Sequence, residues 1–241
     1  MAHNYEKILA PFGRDSSNSK FVNTSKWSKP EFEYLKNNTW IWTQKIDGTN
    51  LNIVWDGERV SYKGHTDKTQ WNERSKNYIE SVFCTSEAET VFEQLYGEQP
   101  IIVSMELVSK DFNQNYGYPD GHFYVYDVRN GNTGKYWDRK AVEDFVEAFD
   151  HEHKHVEAVK VLYRGTIEGA VEWVKAAKVF NENPDVNVLD TEILENDISC
   201  FQVYNPLGKY PIEGLVGRPE IEMYNSKGER IITKVKCKDY E

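Results

Sequence analysis

The 241 residues contain only three cysteines, Cys84, Cys200 and Cys237, odd in number and without C-x-x-C spacing. A disulfide framework is therefore not expected, and reduced thiols in a cytosolic compartment are. Long apolar runs are missing too. No stretch approaches the length of a membrane span, and the start, Met1-Ala-His-Asn-Tyr-Glu-Lys, carries charge and no apolar h-region, so no secretory signal is expected. Positive charge is in deficit, with 29 Lys and Arg against 39 Asp and Glu, a net charge of −10. Binding that coats nucleic acid indiscriminately works by neutralising phosphates and is excluded by that balance; a local basic cleft is not. Repeats, linkers and low-complexity tracts are also absent. Aromatic residues, in contrast, are plentiful at 14%, and the length suffices for a sizeable core, as one large domain or two small ones.

The pattern mixes strands and helices without a regular βαβ rhythm, which predicts an α+β fold. Residues 13–30 are rich in Ser, Asn and Lys and read as a polar, loop-rich lead-in. Trp40–Thr43, Leu51–Trp55 and Glu58–Tyr62 read as strands, the last two joined by a type I′ turn at Asp56-Gly57. Residues 75–96 carry helical spacing. Pro100–Met105 and Phe123–Val128 read as buried strands, and residues 138–162 as helical. Thr166 caps a helix with an apolar stripe through Val171, Val174 and Val179. Residues 211–238 read as two strands around Ser226-Lys-Gly228.

Five islands carry chemistry. The first is Lys45-Ile-Asp-Gly-Thr-Asn50, a lysine opening a tight Asp-Gly turn before a β-rich run. A lysine at a sheet edge can attack phosphorus. Gly64-His65-Thr66-Asp67 follows the hairpin. Glu106 ends one strand, and Tyr126-Asp127 ends another. Glu213-Gly-Leu-Val-Gly-Arg-Pro219 precedes a final strand with Lys234 and Lys236. Two lysines two residues apart share one face of a strand and form a cation clamp suited to phosphate.

In order and spacing these islands resemble the covalent nucleotidyltransferases, most closely the RNA ligase 2-like family, over residues 40 to 240. K-x-D-G alone is a short pattern; five islands in order, with E-G-L-V and K-V-K set 21 residues apart, are specific. Asn50 discriminates within the group, since DNA ligases and capping enzymes usually carry arginine there. The resemblance implies a single nucleotidyltransferase (adenylation) domain over 1–241, an ATP-grasp-like ligase core of two antiparallel sheets flanked by helices. It also implies that no separate C-terminal domain clamps nucleic acid. Lys45 would attack the α-phosphorus of ATP with Mg2+ or Mn2+ present and retain AMP as a phosphoramidate. The AMP would pass to an RNA 5′-phosphate, and a 3′-hydroxyl would then displace it. The substrate would be a nicked duplex or single-stranded RNA end, with DNA-containing strands left open, in RNA repair of the phage-like kind. The expected compartment is the cytoplasm (that of a host if the chain is phage-encoded), and no membrane partner is expected.

By the same resemblance Lys45, Asp47, Glu213, Lys234 and Lys236 are catalytic. Ile46, Gly48, Asn50, His65, Glu106, Tyr126 and Arg218 join Lys45, Lys234 and Lys236 in holding the nucleotide, with Glu106 on the ribose and Tyr126 stacked on adenine. Asp127 and Glu213 serve the metal. His65 stands where the family commonly carries arginine. A lysine is mostly protonated at neutral pH, with a pKa of about 10.4, and must lose a proton to attack; burial and neighbouring cations such as Lys234 and Lys236 favour that loss.

Competing readings exist. One is a nucleotide- or RNA-end-binding module that forms an adenylate without efficient sealing, and another is a DNA ligase. A third follows from His151-Glu-His-Lys-His155, which matches H-E-x-x-H, the zinc metalloprotease motif that places two histidines one helical turn apart; a solvated helix end is the alternative for that run. Ile167-Glu168-Gly-Ala-Val171 imitates E-G-x-V but lies within a helical stripe, so Glu168 is expected on a helix.

Overall fold

The structure is a computed structural model, and it describes residues 5, 7–14, 22–66, 69–110, 118–150, 155–182 and 212–240. Asp67, His151 and Cys200 lie outside these residues. The chain divides into two compact units: Met1–Glu6 with Asp47–Val159, and Lys7–Ile46 with Lys160–Glu241. The boundary falls inside the lysine hexapeptide, after Ile46.

In the unit containing Lys45, strands β1 (Phe12–Arg14) and β2 (Val22–Trp27) pair antiparallel, and the short helix α1 (Pro30–Tyr34) follows. The lead-in thus contains a strand where its polar composition predicted loop; half of β2 is exposed and none of it is fully buried, so it shows no apolar alternation. Its main sheet is four-stranded and antiparallel. From the edge it runs β11 (Thr233–Lys236), β10 (Gly214–Pro219), β3 (Trp40–Gln44) and β9 (Val161–Gly165). Trp40 and Trp42 alternate onto one face and are fully buried with Leu215 and Val235. Helix α5 (Ile167–Glu182) contributes Ile167, Ala170, Val171, Val174 and Ala177 to the same core, at helical spacing. Each fully buried Val, Ile or Leu in such a stripe contributes about 1.5–3 kcal/mol. Thr166 caps α5 as expected, its Oγ1 accepting from Gly169 N at 3.1 Å, and Glu168 is a helix residue.

In the other unit the sheet runs β5 (Val60–Gly64), β4 (Thr49–Trp55), β6 (Ile101–Val108), β7 (His122–Asn130) and β8 (Val156–Ala158). All pairs are antiparallel except β7 and β8, which run parallel. The fold is α+β as expected, but this sheet is mixed and the small β1–β2 sheet is additional. The helical stretch expected over 138–162 is α4 (Arg139–Asp150) followed by β8 and β9. The expected helix over 75–96 is two: α2 (Glu73–Phe83) and α3 (Ser86–Tyr96). Each has its own side-chain N-cap, Asn72 accepting from Ser75 N and Thr85 from Ala88 N. One sheet face carries Leu51, Ile53, Val103, Met105, Phe123 and Val125, which share a core with Phe83, Phe92, Phe145 and Phe149 of the helices.

Two turns differ from expectation. The β4–β5 connection is a four-residue loop in which the Asp56 carboxylate accepts from Glu58 N and Arg59 N. Only Gly57 has positive φ there, which rules out type I′. Gly48 does not have positive φ at all. Glycine is required there because a Cβ would lie 2.6 Å from the Leu107 carbonyl oxygen. Between β10 and β11 the turn at Ser226-Lys-Gly228 forms as expected, with Gly228 N donating to Asn225 O and Asn225 N to Glu229 O at 2.9 Å, Gly228 at positive φ, and an isolated bridge pairing Tyr224 with Arg230. Among the described residues no helix is long and apolar enough to cross a membrane.

Candidate active site

Backbone pairing assembles the first group of site residues. Gly214 faces Lys236 and Val216 faces Lys234 across β10 and β11, so Lys234 and Lys236 share a face as their spacing requires. Lys45 N donates to Gly214 O at 2.9 Å, which ties the lysine's backbone to the residue after Glu213. The Glu213 carboxylate is buried and takes one ammonium on each oxygen. Lys45 Nζ donates to Oε2 at 2.7 Å, and Lys236 Nζ donates to Oε1 at 2.6 Å. Lys45 Nζ also lies 3.5 Å from Ile46 O.

Lys234 is half-buried, and its pKa is held below the usual lysine value by burial, then by Lys236 and Lys45. Asp239, which acts on it less than Glu213 does, is paired with Arg14 at 3.0 Å. Three ammonium groups around one carboxylate leave an excess of positive charge, suited to an anion such as phosphate. Arg218 lies further along β10, half-buried and in step with Val216. Ile46 is buried.

The other unit carries the second group on the sheet face opposite its core. Asn50 pairs with Glu106 and Glu106 with Tyr124, while Asn52 pairs with Ser104 and Ser104 with Asp127. The register of β7 shifts between Ser104 and Met105, whose partners are Asp127 and Val125, so Tyr126 is the extra residue of a bulge. Glu106, Tyr126 and Asp127 therefore sit within strands rather than at strand ends. The bulge turns Tyr126 onto the polar face, where its hydroxyl accepts from the Asn50 amide. The Tyr126 phenol is pushed well above its usual range by burial, then by the Glu106 and Asp127 carboxylates, and stays neutral. His65 is exposed at the end of β5, and Asp47 is half-buried.

Three residues of this face went unmarked in the sequence. Asn52, 1% exposed, accepts from Ser104 Oγ at 2.7 Å and donates to Asn50 Oδ1 at 3.0 Å. The signal was present, since Asn50 and Asn52 are two apart in one strand and so share a face. Tyr5 donates to Asp127 Oδ2 at 2.6 Å and meets the Tyr126 ring edge-on at 5.3 Å. Nothing local announces Tyr5.

Asn52→Ala leaves Ser104 and Asn50 short of partners in a buried site. We expect a loss of about 2–3 kcal/mol, read as a lower denaturation midpoint. An unchanged midpoint contradicts a stabilising role for the network.

Among the described residues no three or more His, Cys, Asp or Glu side chains gather as a metal cage. Asp127 is engaged by Tyr5, and both Glu213 oxygens by lysines. His155 stands in a turn just before β8, outside α4. It therefore lacks the helical setting that the metalloprotease reading demands.

A family model described as RNA ligase matches residues 38–236. Comparison with curated protein sequences finds no match. Among solved structures, the chain is similar to a variant RNA ligase of Naegleria gruberi with AMP and Mn, with a TM-score of 0.55 and 12% identity over 97% of this chain and 57% of that one. A second variant of that ligase, with ATP and Mn, gives a TM-score of 0.54 and 12% identity over 99% of this chain and 64% of that one. An archaeal ATP-dependent RNA ligase gives a TM-score of 0.53 and 11% identity over 97% and 47%. The chain thus spans less than two thirds of the length of these structures. At such identities they show a shared fold. The family match covers most of the chain, and the chain belongs to the RNA ligase family.

Proposed function

We propose that this chain is the adenylation domain of an ATP-dependent RNA ligase, with both units assigned to that domain and Lys45 as its nucleophile. The observation that carries the reading is the Glu213 carboxylate shared between Lys45 and Lys236, with Lys234 beside them. Glu213 fixes the direction of the Lys45 ammonium and can accept its proton. The neighbouring ammonium groups of Lys234 and Lys236 draw in the phosphates.

The neutral amine of Lys45 attacks the α-phosphorus. A nitrogen–phosphorus bond forms, the bond to pyrophosphate breaks, and nitrogen sheds a second proton as the phosphoramidate is completed. Lys234 and Lys236 stabilise the charge on the non-bridging oxygens. The AMP then moves to an RNA 5′-phosphate, and a 3′-hydroxyl attacks that phosphate and releases AMP. The substrate is a nicked duplex or single-stranded RNA end.

Asn50, Glu106 and Tyr126 are assigned to the nucleoside, Glu106 on the ribose and the Tyr126 ring on adenine. Asp47 is assigned to support of the lysine nucleophile or the transferring phosphate, and His65 and Arg218 to the phosphates or the RNA end. A divalent metal, when bound with the triphosphate, would neutralise phosphate charge. Mg2+ is commonly held by phosphates, water and one or two carboxylates, so a protein-built cage is not needed. Asp127 and Glu213 are the candidate carboxylates, and Glu213 would first have to release a lysine. The scattered cysteines, Cys84 and Cys237 being free, suit the cytoplasm.

Incubation with α-labelled ATP and Mg2+ or Mn2+ tests the reading. Label should remain on the denatured protein, vanish in Lys45→Ala, and transfer poorly from GTP. No label under either metal overturns it, and preferential GTP labelling reassigns the chain to capping chemistry.

A further inference from the structure

The H-E-x-x-H run is not absorbed by nucleotide chemistry, and its last histidine has a partner that the sequence does not reveal. His155 directly precedes β8, and Phe123 N donates to His155 O at 2.7 Å, which anchors the histidine's backbone to β7. The parallel register pairs Phe123 with Val156 and Tyr124 with Glu157. Continued one residue back, it sets His155 beside His122, the first residue of β7. Period-two alternation then places His122, Tyr124, His155 and Glu157 on one face of the sheet.

The side chains agree with this placement. His155 Nδ1 and His122 Nε2 face each other at 3.3 Å, and on the far side of the His122 ring Nδ1 lies 3.3 Å from Glu157 Oε1. Two nitrogens that each lie about 2.0–2.1 Å from one tetrahedral ion stand roughly 3.3 Å apart. The observed separation therefore suits both a hydrogen bond and a shared metal. Glu157 selects between the tautomers. A carboxylate beside Nδ1 favours the proton there, which leaves the Nε2 lone pair directed at His155. No hydrogen bond reaches His122 Nδ1 in this structure, and a small rotation of the ring or of Glu157 would turn the 3.3 Å approach into the carboxylate–histidine–metal arrangement, in which an outer carboxylate orients the ligand ring. His155 is exposed and His122 retains 15% side-chain exposure, so an ion has access from solvent.

We propose that His122 and His155 form a surface site for Zn2+ or a similar borderline transition-metal ion, with Glu157 orienting His122 and water filling the remaining positions. The site involves neither Lys45 nor Glu213 and does not depend on the proposed nucleotide chemistry. Its effect is to fasten β8 to the start of β7.

The test is titration of the whole, metal-stripped chain with ZnCl2 by calorimetry, alongside thermal melting with and without zinc. We expect about one ion per chain and a Tm that rises with zinc. His122→Ala/His155→Ala should lose both responses, and Glu157→Gln should bind about tenfold more weakly. Metal-free melting shows whether the double variant is folded; if it is not, His155→Ala alone, at an exposed position, carries the test. Binding or a Tm rise that persists without these histidines overturns the site, as does a wild-type chain that takes up no zinc. Unchanged affinity in Glu157→Gln overturns the orienting role.

Discussion

Lys234→Gln should lower adenylyl transfer to Lys45 by about 100-fold or more, the scale of one lost charge-stabilising group, while the protein becomes harder to melt. The opposed signs share one cause. Lys234 is a half-buried ammonium beside two others, and burial and like charge both hold its pKa below the ordinary lysine value. Its folded pKa lies below its unfolded one, so within that window the unfolded chain binds more protons and stability rises with pH. Below the window the full cost of the charge is present. Removing the charge relieves it by about 1 kcal/mol after allowance for solvent screening, or a Tm rise of about 2–4 °C for a chain of this size. The same cations give phosphate a reason to bind. A Lys234→Gln variant that melts lower and keeps wild-type labelling would contradict both halves of the argument.

Gly214→Ala should destabilise the Lys45 unit by about 3 kcal/mol or more, lowering Tm by roughly 6–12 °C and removing adenylyl transfer with it. A Cβ at this position would stand 2.1 Å from the Val235 carbonyl oxygen and 2.8 Å from Lys236 Cα, at φ +155. Both neighbours are backbone atoms of the paired strand, so no side chain can swing aside to make room. Relief requires opening the pairing of Gly214 with Lys236, the pairing that brings the Lys236 ammonium to Glu213. The glycine after Glu213 is thus a condition for the carboxylate to reach two lysines. A variant that melts and labels like wild type would show that the two strands adjust freely.

The lysine group was legible in the sequence because its members lie in short islands whose local geometry is simple. Lys234 and Lys236 alternate on a strand, and one strand pair plus one backbone hydrogen bond suffices to bring Lys45 and Glu213 together. Tyr5 was not legible. Its bond to Asp127 joins residues 122 apart in sequence, and a tyrosine in a charged N-terminal segment shows no periodicity. Strand β8 was missed because three residues between a helix and another strand cannot display alternation, and with it went the parallel pairing that places His155 beside His122. The bulge at Tyr126 was invisible for a related reason: it follows from the register of β6 against β7, and neither strand alone encodes it. Asn52 is not legible because a polar residue inside a strand usually marks a solvated face. Here that face holds a buried chain of hydrogen bonds from Ser104 to Tyr126.

The most direct measurement of the central claim is the position of the adenylyl group. The protein is incubated with ATP and a divalent metal, denatured, digested, and mapped by mass spectrometry. The account predicts a single adenylyl group on the peptide containing Lys45, with none anywhere in Lys45→Ala. An adenylyl group on Lys234, Lys236 or another residue, or its persistence in Lys45→Ala, would contradict it.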